Sequence, residues 1–147
     1  MRFLEDLQEG EVIALGVTTV AEEEIIEFGR RYDPQPFHVD PELARESIYG
    51  GLIASGWHTC ALFMGLLAPG FLNSTASLGS PGVDEVRWSR PVRPGDTLTG
   101  TLTILATRPS RSRPDRGIVT SRGALHNQDG DPVLTLAAVN MIGRRPD

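Results

Sequence analysis

WHTCALFMGLLA, Trp57 to Ala68, runs for twelve residues without one charged side chain. It is long enough for a helix, and a helix that is apolar all round must be buried all round. The stretch just upstream, GGLIASGWHT from Gly50 to Thr59, places glycines and a serine where such a helix would begin. Ser55 suits the N-cap, and the free N–H groups near Gly56 would point out of the helix start. That makes an anion site without a cation, suited to an oxyanion that develops during a reaction. His58 falls inside the helix rather than at its mouth.

Downstream the period changes from helical to alternating. VDEVRWSRPV, Val83 to Val92, reads as a strand closed by Pro94-Gly95-Asp96, and DTLTGTLTILAT, Asp96 to Thr107, alternates at period two. RPSRSRPDRG, Arg108 to Gly117, reads as a hairpin loop leading into GIVTSRGALHNQ. A turn at Asp129-Gly130-Asp131 joins this to PVLTLAAVNMIG, and EVIALGVTTV near the N-terminus supplies a fifth strand. Two short helices flank the site region. Thr19-Val20-Ala21-Glu22 has capping-box spacing ahead of Ile25, Ile26 and Phe28, and Asp40-Pro41-Glu42 places an acid cap before proline. Four strands after one buried helix predict an α+β fold, a single domain over residues 1–147 with an antiparallel sheet of about five strands wrapped around a central helix.

YDPQPFHVD, Tyr32 to Asp40, gathers an acid, two prolines and one of only three histidines. On one continuous helix Asp33 and His38 would face different ways. Pro34 and Pro36 forbid that helix and predict an overhanging loop in which the two side chains can converge. A carboxylate beside an imidazole orients the ring, stabilises its charged form and can take a proton from water. The same residues also suit a plain Asp-Pro turn and a packed histidine.

Composition narrows the partners. Nineteen acidic against fourteen basic residues give a net charge of −5, which disfavours binding to nucleic acid. The single cysteine, Cys60, excludes a disulfide framework within the chain and suits a reducing cytoplasm. The acidic start MRFLEDLQEGE lacks the pattern of a secretory signal, and no segment reads as a membrane span. Three scattered histidines supply no metal ligand set, and no cofactor is called for.

FGRRYDPQPFHVDPELA, then GGLIASGWHT, then RPVRPGDTL, resembles the MaoC-like dehydratases, which include the (R)-specific enoyl-CoA hydratases of the hot-dog fold. Asp33, Pro36, His38 and Ala44 occupy the places of the family signature, and Gly56, eighteen residues after His38, occupies that of its helix-start glycine. Gln35 replaces the family's asparagine, Tyr32 stands where many members have glycine, Phe37 where they have a smaller aliphatic residue, and Met64 where some have a serine. The resemblance implies reversible addition of water to a trans-2-enoyl thioester carried by coenzyme A or a carrier protein, with Asp33 and His38 as the acid/base pair and Gly56 as the oxyanion donor. It also implies an acyl path beside Ser55, Trp57, Phe63 and Met64. Arg87, Arg90 and Arg93 suit either carrier phosphates or plain solvated surface. A hot-dog thioesterase is the rival, but no carboxylate lies between Gly50 and Leu67, on or at the start of the helix, where many of those enzymes place one. A non-catalytic subunit that binds acyl thioesters is a third reading. Exposed sheet edges and a half-covered helix predict a homodimer.

Overall fold

The computed structural model describes residues 1–147. The chain forms β1 (Val12–Thr19), α1 (Glu22–Tyr32), α2 (Pro36–Val39), α3 (Pro41–Glu46), α4 (Gly56–Gly70), β2 (Gly82–Trp88), β3 (Thr97–Pro109), β4 (Arg116–His126) and β5 (Pro132–Gly143). The five strands make one antiparallel sheet in the order β1-β3-β4-β5-β2. This is the expected α+β architecture. No helix is long and apolar enough to cross a membrane.

The sheet holds α4 against its inner face because glycines leave room for it. A Cβ on Gly123 of β4 would lie 2.3 Å from the Phe63 ring, and one on Gly100 of β3 would lie 3.0 Å from Leu66. Gly100 pairs with Gly16 of β1, where a bulge beside Leu15 and a φ of 105° require glycine. Around this channel Phe63, Phe71, Leu98, Leu102, Ile104, Leu125, Leu134 and Ile142 form the core.

Several local expectations need correction. Helix α4 is not buried all round: His58, Thr59, Phe63 and Leu67 face inward, while Trp57, Ala61, Met64 and Gly65 are exposed. One sheet covers only one side of a helix. Thr19 does not cap α1, because it is the last residue of β1 and its hydroxyl meets that of Thr97 at 3.2 Å. Ala21 is the N-cap without a side-chain bond, and α1 instead carries Glu22, Glu23 and Glu24 in its first turn and Arg30 and Arg31 in its last, which suits the helix dipole. Strand β2 stops at Trp88, short of Pro91, which has no N–H to continue a ladder. Pairing of β3 with β4 runs out to Pro109 opposite Gly117, so the predicted loop shrinks to Ser110–Asp115.

Candidate active site

Helix α1 ends on Asp33, whose N–H closes onto Gly29. The chain then turns tightly at Pro34, with Gln35 N–H donating to the Asp33 carbonyl at 2.9 Å, an i to i+2 bond of the γ-turn type. Pro36 next begins a single helical turn, α2, at the position where its missing N–H costs nothing. The prolines therefore break the long helix as expected, but His38 sits on a short helix rather than in an open loop. The γ-turn plus one helical turn brings His38 Nε2 to 3.2 Å from Asp33 Oδ2.

The segment before α4 fixes this turn from the other side. Ile53 N–H donates to the Phe37 carbonyl at 3.0 Å, and the Ile53 carbonyl lies 2.8 Å from His38 Nδ1. A carbonyl can only accept, so Nδ1 carries its hydrogen and Nε2 is the nitrogen left to exchange a proton. Ala54 N–H is bound in turn by the Val92 carbonyl at 2.8 Å. Ser55 is fully buried; its hydroxyl donates to Asp33 Oδ2 at 2.7 Å and accepts from Trp57 N–H at 3.3 Å. One hydroxyl thus caps α4 and grips the acid.

Burial pushes the Asp33 carboxyl up, but hydrogen bonds from Gln35 and Ser55, together with the His38 ring, outweigh it and hold the group below the ordinary carboxylate range. Asp33 is an anion at neutral pH. Asp33, His38 and Gly56 line one cavity of about 460 Å³. Gly56 is the first residue of α4, and its N–H has no acceptor within the chain. Trp88 closes over it: the indole N–H donates to the Gly56 carbonyl at 2.9 Å, and a Cβ on Gly56 would stand 2.5 Å from the ring.

Of the residues expected along an acyl path, Trp57 lines this cavity, edge-on to Trp88 with ring centres 5.4 Å apart. The other three do not. Ser55 is engaged with Asp33 beneath the surface, Phe63 is core against Gly123, and Met64 lies on the open face of α4. Arg90 alone of the three arginines lines the cavity; Arg87 pairs with Glu85, and Arg93 donates to the Tyr49 carbonyl at 2.6 Å. Sequence reasoning missed that Trp88 and Tyr49 line the cavity and that the Gln35 amide touches Asp33. His58 is inside α4, stacked on Phe28 at 4.8 Å.

Residues 8–122 match the family model described as a MaoC like domain. The chain is 44% identical to a crystallised MaoC-like dehydratase from Rhodospirillum rubrum, with a TM-score of 0.92 and 100% of both chains covered. It is 28% identical over 118 residues to an (R)-specific enoyl-CoA hydratase of Rhodospirillum rubrum, covering 76% of this chain and 75% of that one. A Mycobacterium tuberculosis protein described as having a double hotdog fold aligns with a TM-score of 0.81 at 18% identity, covering 99% of this chain and 45% of that one, a likeness of fold alone. The five-stranded sheet wrapped on α4 is a hot-dog fold.

Proposed function

The chain belongs to the MaoC-like domain family, and on that premise we propose that it is a hydro-lyase adding water reversibly to a trans-2-enoyl thioester. The observation that carries the reading is the 3.2 Å contact between Asp33 Oδ2 and His38 Nε2 on the wall of a cavity that Gly56 also lines. Water held between the carboxylate and the imidazole loses a proton to the pair as its oxygen bonds to C3 of the enoyl group. The electrons of the double bond move towards the thioester oxygen. There the Gly56 N–H, at the positive end of the α4 dipole, receives the developing charge. The pair then returns the proton to C2, so one water is added and no other atom is exchanged. Dehydration of the 3-hydroxyacyl thioester is the same path reversed.

The substrate arrives on coenzyme A or on a carrier protein, and the working unit is a homodimer. The test follows loss of enoyl-CoA absorbance with the intact protein and with Asp33→Asn and His38→Ala. Each substitution is expected to lower turnover by roughly 10²–10⁴; because His38→Ala also gives up the Nδ1 bond to the Ile53 carbonyl, circular dichroism of each variant checks that the sheet and α4 are kept. Two variants that turn over like the parent protein would remove Asp33 and His38 from the chemistry, and thiol release from saturated acyl-CoA without hydration would replace hydration with hydrolysis.

A further inference from the structure

We propose that Gln35 is a positioning residue of this site, its amide taking the Oδ1 oxygen of Asp33 so that Oδ2 is the oxygen held towards the imidazole. The assignment rests on the hydro-lyase reading and goes beyond it. Gln35 Nε2 lies 2.8 Å from Asp33 Oδ1, whereas Ser55 and His38 both approach Oδ2, at 2.7 and 3.2 Å. A carboxylate accepts only, so the amide must present its NH₂ end. The turn at Pro34 makes this geometry local: the Gln35 backbone is already bonded to the Asp33 carbonyl at 2.9 Å, and a side chain of this length folds back onto the same residue.

Gln35 is exposed and lines the cavity, so its bond to the acid is not part of the packing that holds the fold. Its effect falls on the carboxylate. With Oδ1 held by Gln35 and Oδ2 by Ser55, the carboxylate plane is fixed at both oxygens and Oδ2 stays towards Nε2. With Oδ1 released, Asp33 keeps only the Ser55 hydroxyl and the neighbouring imidazole on Oδ2, and the proton-bound form gains ground.

The experiment combines a ¹³C NMR titration of the Asp33 carboxyl with pH profiles of kcat and KM for enoyl-CoA hydration, in the parent protein, Gln35→Leu and Gln35→Glu. Gln35→Leu removes the donor at similar bulk and is expected to move the Asp33 titration up by about one pH unit. Gln35→Glu adds a like charge and should move it further. In Gln35→Leu, kcat should fall roughly tenfold with KM within about twofold, and the acid limb of the profile should rise in step with the titration. An Asp33 titration unmoved in both variants overturns the proposal, as does a kcat and acid limb unchanged by Gln35→Leu. A parent protein that hydrates no enoyl thioester sinks the hydro-lyase reading instead, and the NMR titration still decides whether Gln35 governs Asp33.

Discussion

His58 carries a proton-binding group to a place where burial disfavours its charged form. Its Nδ1 is buried without a hydrogen bond, and the ring lies flat against Phe28. Burial lowers its proton affinity below the ordinary imidazole value of about 6.5; Glu24 opposes this and His38 adds to it. The folded chain therefore takes up this proton at a lower pH than the unfolded chain does. Above pH ~7 both states are neutral and the group has no effect on stability. As pH falls through about 6.5 the unfolded state gains the proton first, and stability drops with a slope of at most about 1.4 kcal/mol per pH unit until the folded-state value is reached. Urea unfolding of His58→Leu between pH 8 and 5 should show a shallower loss than the parent protein. Parallel curves would mean that the ring finds a partner for its proton in the folded state. Asp33 and His38 were legible as a pair because two prolines leave few ways to place them. Gln35 was legible only as a departure from the family asparagine, since its contact depends on a γ-turn that no residue pattern announces.

The start of α4 joins the site to the fold. An uncharged run predicts the helix, and Ser55 predicts its cap, because both depend on nearby residues alone. The one-turn helix α2 escaped notice for the opposite reason: four residues have no helical stability of their own. It persists because Ile53 bonds Phe37 through its N–H and His38 through its carbonyl. The Trp88 indole over Gly56 was hidden similarly, since β2 lies more than two dozen residues further along the chain. That contact has a measurable consequence. In Gly56→Ala the new methyl group meets the indole at 2.5 Å, so the ring must swing out and give up its 2.9 Å bond to the Gly56 carbonyl. A cost of about 1–3 kcal/mol is expected, as for other overpacked sites. Trp88→Ala removes the obstacle, so Gly56→Ala should cost much less in that background, and a double-mutant cycle by chemical unfolding reads the difference. Additive costs would place the strain elsewhere.

Alternation and Gly/Pro punctuation located all five strands, but not their order. The β2–β5 pairing joins segments some fifty residues apart, and β2 is exposed along nearly its whole length, so no alternation of buried and exposed residues announces its register. The same order leaves β1 and β2 as open edges. An apolar surface also remains on α4, where Met64 is 49% exposed and Trp57, two turns away, 60%. A helix without charge cannot leave that face in water without cost, at roughly 25 cal/mol per Å² of apolar area. A second copy across this face would supply the cover that the single sheet does not. Light scattering should therefore give twice the 16.0 kDa chain mass at micromolar concentration. Met64→Asp places a charge on this side of α4 without touching the cavity, and should shift the protein towards the monomer. Trp57 belongs both to this side of α4 and to the cavity wall, so turnover per chain in Met64→Asp should fall on dilution and recover on concentration. A parent protein that stays monomeric at tens of micromolar would leave the exposed stripe without a second copy to cover it.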